Sequence, residues 1–475
     1  MGDITNRVVA FLMAKCSKVF TTPTTVGMGQ SDLQRLLLRV QVIIEEAEGR
    51  HITNPMIAYQ LNMLRKEMYR GYFTLDTLRI IHCQEQLKAK GRDDVSNSFT
   101  LSKFNPAKRL FFSTGNTHME KDLQQVLDNV NNIMVTMSDF VAIFNNYPPL
   151  YRQPYSMHLY IGKCMFGREM EMADRVIDFL MQIENPSMKN VGVLPIVGPT
   201  NVGKSTLVAH VYNDERVRNH FSKIVVITGD EINNESPTSM LNNRGVIVYQ
   251  DNALRKNDRL LTIIEFSRDV VDEVTWNSLY SSACAVLRSG SKIIMTSTSD
   301  EIIKFGTTQA LVLNFLPQEA YWYFFKTITF GSTDSDDHPE LQSIGMEMAR
   351  WMNGSFIGAN INSGHLSKNL IAKYWQMHLA FFKENIQRNV SLFGKNQFVL
   401  MQESNPMSFL IKDKYEFTIY SHYSASLAED DVPIITMYDV LTGSVKCEGE
   451  LKVLLWKSHI LPFKYYVANC IIEKL

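Results

Sequence analysis

The sequence predicts a multidomain α and α/β chain, and three observations carry that reading. Apolar residues recur at helical spacing through much of residues 1–147. Short apolar runs alternate with helical segments over 165–330, and residues 389–475 are rich in strand-like runs. A length of 475 residues leaves room for about three ordinary domains.

The first region predicts a helical bundle of the coiled-coil type. In "SDLQRLLLRVQVIIEEAEGR" the stripe Leu33, Leu36, Leu37, Val40, Ile43, Ile44 and Ala47 marks one amphipathic helix, with Ser31 and Gln34 spaced as a capping box at its start. Ile57, Leu61, Leu64, Met68, Tyr72, Leu75 and Leu78 mark a second. Between Lys88 and Thr117 the period fails, as in a long connection, and it returns from Glu120 to Phe144. The prolines of "NNYPPLYRQP" then close the bundle.

Over 165–330 the runs "VGVLPIV", "KIVVIT", "GVIVY", "KIIMTS" and "ALVLNF" predict strands of a parallel sheet with helices on both faces. Residues 331–388 predict a short helical subdomain, with helices at Leu341 to Met352 and Lys368 to Ile386. Its opening acids Asp334, Asp336 and Asp337 read as a solvated loop, and the aromatic run Tyr321 to Phe325 before it reads as core. In the last region "FVLM", "EFTIYSHY", "PIITMYDVL", "ELKVLLW" and "KYYVANCII" predict strands, without a role that the residues themselves suggest.

A net charge of -1, with 45% hydrophobic and 20% charged residues, argues against a chain-wide role on nucleic acid or a membrane surface. The apolar run Val8 to Ala14 is too short to span a bilayer, so no transmembrane segment is expected. The cysteines Cys16, Cys83, Cys164, Cys284, Cys447 and Cys470 are dispersed, without a CxxC pair, which fits reduced thiols and a cytoplasmic location.

The strongest local signal is "VLPIVGPTNVGKSTLVAHVYND". Gly198, Gly203, Lys204 and Ser205 satisfy G-x-x-x-x-G-K-[ST], with Pro199, Thr200, Asn201 and Val202 between the glycines, behind a predicted strand and ahead of a predicted helix. Such a loop aims backbone N–H groups and a helix N-terminus at phosphate oxygens. Lys204 would meet the terminal phosphates, Ser205 would supply an oxygen to Mg²⁺, and Thr206 would help hold the α-phosphate. The central domain is therefore expected to be a P-loop NTPase-type sheet that takes ADP or ATP. A hydrolysing site also needs an acid at the end of a nearby strand. Asp251 is the candidate, as catalytic and metal-organising acid, although Gln250 stands where the acid should follow the run Val246 to Tyr249. Asp251 could equally cap the loop that follows.

Several blocks in order resemble the NB-ARC nucleotide-binding module of plant disease-resistance proteins of the coiled-coil class. They are "FGREMEMADRVIDFLM", the phosphate loop, "VYNDERVRNHF", "GSKIIMTSTSDEI", "LNFLPQEAYWYFFKTITFGS" and "HPELQSIGMEMARWMNGSFIGA". The resemblance implies an ADP- or ATP-binding switch in plant defence, with N-terminal helices that pair with other immune receptors. The chain departs from the family at Gln250 with Asp251, where two acids are usual, and at Thr298, where an Arg senses the terminal phosphate. It departs again at Gly354 to Ile357, "GSFI", where a Gly-Leu-Pro-Leu turn packs near the base. Of the acidic patch by which the family docks its N-terminal domain, Asp76 alone is left, so weaker or different docking is expected. No leucine-rich repeat is visible.

Binding with weak or no turnover follows from an intact loop beside altered switching residues. Two alternatives stay open: an active P-loop ATPase switch that uses Asp251, and a nucleotide-free helper or decoy that pairs with full-length receptors.

Overall fold

The computed structural model describes residues 25–48, 50, 52, 54–89, 116–144, 147–148, 166–168, 175–182, 190–229, 246–250, 259–266, 271–403, 405–411, 415–425, 431–441, 444–445, 448–460 and 463–474. The run Val8 to Ala14 lies outside them. The contacts divide the chain into two compact units.

The first unit takes the described residues within Met1–Cys164, Pro317–Trp351 and Leu366–Ala380. Its helices are α1 (Thr25–Glu48), α2 (Pro55–Ala89) and α3 (Asn116–Phe144). The predicted stripes face one another: Leu33, Leu37, Val40, Ile44, Leu64, Met68, Val126 and Val130 are all completely buried. Helix α1 begins six residues before Ser31, so Ser31 lies inside the helix and the predicted capping box is not its start.

Two later helices, α8 (Gln318–Phe330) and α9 (Pro339–Trp351), pack on α2 in the same unit. The aromatic run Tyr321 to Phe325 on α8 is buried throughout, as its sequence suggested. Tyr323 lies between Tyr69 and Tyr72 of α2, with ring centroids 5.1 and 5.4 Å away. Asp76 of α2 is fully buried and accepts hydrogen bonds from Trp322 Nε1 at 2.8 Å and Lys326 Nζ at 2.7 Å. The single acid left in that stretch is therefore engaged by Trp322, Lys326 and Arg79. Arg79 lies 3.3 Å from Asp76 and 2.6 Å from Asp336, so Asp336 is tied into the unit and not freely solvated.

The second unit takes the described residues within Met165–Leu316, Met352–His365 and Phe381–Leu475. Its larger sheet contains β1 (Gly192–Val197), β2 (Lys223–Thr228), β3 (Val246–Gln250), β4 (Leu260–Glu265), β5 (Lys292–Ser297) and β6 (Leu311–Val312), in the order β3-β2-β4-β5-β1-β6. Strands β2, β4, β5, β1 and β6 run parallel, and β3 is antiparallel to β2. Helix α4 (Asp178–Met181), with α5 (Lys204–Asn213) and α6 (Glu215–His220), covers one face. There Leu194, Ile196, Leu261 and Ile263 meet Leu207, Val208 and Val211. On the other face α7 (Glu273–Val286) brings Trp276, Leu279 and Ala283 against Val193, Val197, Ile264 and Met295. The alternation of faces along each strand is what buries nearly every residue of a central parallel sheet.

The smaller sheet, β7 (Met407–Ile411), β8 (Tyr415–Ala425), β9 (Gly449–Lys457) and β10 (Tyr465–Lys474), is antiparallel in the order β7-β8-β10-β9. Helix α10 (Phe356–Leu366) sets Ile361 against its core, and α11 (Ala372–Phe393) covers its edge strand. Asn385 accepts from Leu410 N at 3.0 Å, and Asn389 exchanges two bonds with Ser408, at 2.7 and 2.9 Å. That occupies the free backbone groups an edge strand would otherwise present.

Two predicted strands are helices. "FVLM" lies in α12 (Gln397–Gln402), whose cap Asn396 accepts from Phe398 N and Val399 N at 3.0 and 3.1 Å. "PIITMYDVL" contains α13 (Met437–Leu441), where Thr436 N donates to Asp439 and Asp439 N to Thr436, at 2.9 and 3.3 Å. In both, a local cap outweighs the β preference of the residues behind it.

Candidate functional site

Strand β1 delivers the chain into the loop 198–203, and the loop opens into α5. Gly198 passes so close to the strand that follows that a Cβ there would lie 2.4 Å from the Leu313 carbonyl oxygen, which a side chain cannot do. Asn201 holds φ +62°, a left-handed conformation that Asn tolerates. Gly203, at φ +98°, is the N-cap of α5, a position no L side chain adopts without strain. Val202 is fully buried and anchors the loop to the core, while Thr206 faces solvent.

Lys204 bends back over this loop, with Nζ donating to Gly198 O at 2.7 Å and Pro199 O at 2.8 Å. Burial lowers its pKa to about 8, with the charge of Glu265 working in the opposite direction. The ammonium thus sits within the curve of the loop, satisfied by carbonyls that an incoming phosphate would replace. Ser205, beside it, is half-buried.

The strand order settles which strands end near the loop. Strand β5 is the direct neighbour of β1, pairing Val197 with Ser297, and β4 is next, pairing Glu265 with Thr296. Glu265 therefore ends β4 level with the end of β1, about 10 Å to the side by the spacing of two strands. Thr298, exposed, follows the intervening strand.

Strand β3 does not reach this end of the sheet. It runs antiparallel, and Gln250 pairs with Lys223, the first residue of β2, in the row that leads through Leu260 and Leu261 to Lys292 and Gly192. That row lies at the far end of β1 from the phosphate loop. The strand expected to carry Asp251 to the loop runs the wrong way, and Asp251 itself lies outside the described residues. The acid that the topology brings to the loop's end is Glu265, which the sequence reading missed. Its signal was present, because "LLTIIE" is a strand-like run followed at once by a carboxylate.

Two further elements border the loop. The "GSFI" turn places Gly354 at φ +80° against Phe315, and the Phe356 ring lies 3.7 Å from where a Gly203 Cβ would be. Arg168, in the segment before β1, is buried and donates to the Asn314 carbonyl next to that turn's support.

Comparison with known proteins matches this region. The NB-ARC domain family model covers residues 169–335. The chain carries an NB-ARC domain. Disease resistance protein RGA2 of Solanum bulbocastanum is 29% identical over 228 residues, which are 45% of this chain and 23% of that protein. Disease resistance RPP13-like protein 1 of Arabidopsis thaliana is 28% identical over 204 residues, 41% of this chain and 18% of that protein. The match to this chain thus spans less than a quarter of the length of either relative. Among solved structures, Drosophila ORC bound to DNA aligns over 53% of this chain and 79% of that chain, at 12% identity and a TM-score of 0.31. Among the described residues, no helix is long and apolar enough to cross a membrane.

Proposed function

We propose that the chain is an adenine-nucleotide-binding protein of plant defence, in which ADP or ATP acts as a conformational ligand and turnover is weak or absent. The observation that carries this is the NB-ARC loop itself, from Gly198 through Lys204 to the first turn of α5, with its lysine buried in the curve. Loop glycines, a helix N-terminus and a lysine together make a phosphate cradle.

Turnover is the weaker half. Hydrolysis needs an acid to organise the attacking water and the metal. The end of β4 offers one carboxylate, Glu265; the next residue, Phe266, is buried in the core against α7, so no second acid can stand there. Thr298 replaces a guanidinium with a hydroxyl. For Mg²⁺, the expected partners reduce to the Ser205 hydroxyl and Glu265. Because Glu265 is already ion-paired to Lys464, the residues present do not fit a metal of the ordinary P-loop kind. The relatives' names place them in disease resistance, and the N-terminal helices are proposed to pair with other immune receptors or signalling proteins in the cytoplasm.

The test is nucleotide content and affinity. Purified protein, denatured and analysed by ion-exchange chromatography, should release ADP or ATP, or else be stabilised by about 2.7 kcal/mol when ADP reaches about a hundred times its dissociation constant. Lys204→Ala should abolish both effects while leaving the fold intact by circular dichroism. A wild-type protein with no bound nucleotide and no thermal shift overturns the reading.

A further inference from the structure

Lys464 stands where the β9–β10 connection meets the larger sheet. Its Nζ contacts Glu265 Oε2, 199 residues away in sequence. Both side chains are only about one-fifth exposed, at 20% and 19%, so this is not an ion pair at the open surface. The connection is held in place on its own account. Ser458 N donates to Lys464 O, and Lys464 N to Ser458 Oγ, both at 2.8 Å, while Ile460 packs against the core cluster that includes Leu194 and Leu207. Tyr466, two residues further on, has its pKa pushed up to about 12 by burial, with the Glu265 charge adding to it. The same carboxylate acts on Lys204. Glu265 thus acts on two lysines, by direct contact on Lys464 of the C-terminal sheet and through its charge on Lys204 of the phosphate loop.

A carboxylate facing a nucleotide's phosphates repels them unless a cation stands between, and in low-dielectric surroundings that repulsion is large. P-loop sites ordinarily answer this with a divalent metal. We infer that Lys464 is the resident cation of this site: its ammonium neutralises Glu265, so that the loop and Lys204 hold the phosphates and nucleotide binds without a divalent metal. The inference rests on the nucleotide-binding reading above. It also gives the C-terminal sheet a role, as the element that supplies the charge.

The experiment is isothermal titration of the full chain with ADP, in EDTA and in millimolar Mg²⁺. Wild-type protein should bind equally in both, within about twofold. Lys464→Met should bind about tenfold or more weakly in EDTA and be rescued by Mg²⁺, because the exposed carboxylate then needs a metal. Lys464→Met with Glu265→Gln should restore metal-independent binding, because no charge is left to neutralise. Wild-type binding that collapses in EDTA overturns the inference, and that arm needs no variant. Lys464→Met binding that matches wild type in EDTA overturns it as well. Failure of the underlying reading is distinct: no ADP binding by wild type with or without Mg²⁺, and no effect of Lys204→Ala.

Discussion

Each unit of this protein holds a carboxylate against a lysine from a distant part of the chain, and the two pairs are built to different ends. Asp76 in the helical unit is completely buried and takes bonds from Trp322 and Lys326, with Arg79 beside it. Glu265 in the sheet unit is partly exposed and is ion-paired to Lys464. The first pair is locked in by packing and by the Trp322 indole N–H. The second stands at the end of β4, level with the end of β1, with about one-fifth of each side chain open to water.

Removing one partner of a buried pair leaves the other charged and unsolvated, which costs about 3–5 kcal/mol. Asp76→Ala strands Lys326 and the Trp322 N–H, and should lower the first unfolding transition in urea by that amount. Glu265→Gln leaves Lys464 an amide oxygen in a pair that is about one-fifth exposed, and should cost less than Asp76→Ala, about 1–2 kcal/mol. Equal losses in the two variants would break the contrast between a clamp and a replaceable contact.

The difference also governs what could be read from the sequence. The phosphate loop was legible because Gly198, Gly203 and Lys204 do their work within seven residues, and the helical stripes were legible because burial repeats at a local period. Strand order and direction are not local. "GVIVYQD" and "LLTIIE" look alike as strings, and only the antiparallel run of β3 sends the first to the wrong end of the sheet. No local pattern joins Lys464 to Glu265, since the contact exists only once two sheets are built. Asp76 was noticed as a remnant, but its partners lie on a helix 246 and 250 residues away.

Acid offers a middle-sized test. His210, on α5 directly behind the phosphate loop, has a buried Nε2 with no hydrogen-bond partner among the described residues, and burial lowers its pKa to about 4. The folded state keeps it neutral while the unfolded chain protonates it near 6.5, so the unfolded state binds more protons between those values. Stability is therefore unaffected above about 6.5 and falls as pH drops towards about 4, by about 3 kcal/mol in all. His210→Leu should flatten that part of the stability curve in denaturant titrations at stepped pH. His378, in the helical unit, is lowered to about 4 by burial as well, so the variant isolates the sheet unit's share of the acid loss. An unchanged curve in His210→Leu would assign the loss elsewhere.

The smallest effects come from two glycines inside helices, one in each unit. A Cβ at Gly345 of α9 would meet Trp375 at 3.2 Å and Trp322 at 3.3 Å, the same indole that donates to Asp76. Gly345→Ala makes that ring give by a few tenths of an ångström, and a rigid ring makes the change cost about 1 kcal/mol. Gly364 in the last turns of α10 has nothing within 4 Å of the position a Cβ would take. Gly364→Ala loses no contact and narrows the unfolded chain's freedom, so it should stabilise the sheet unit by about 0.5 kcal/mol. Opposite signs in the two melting curves mean that the Trp322 wall around Asp76 is rigid. A neutral Gly345→Ala would mean that the indole can shift, and that the clamp owes its strength to Lys326 and Arg79 alone.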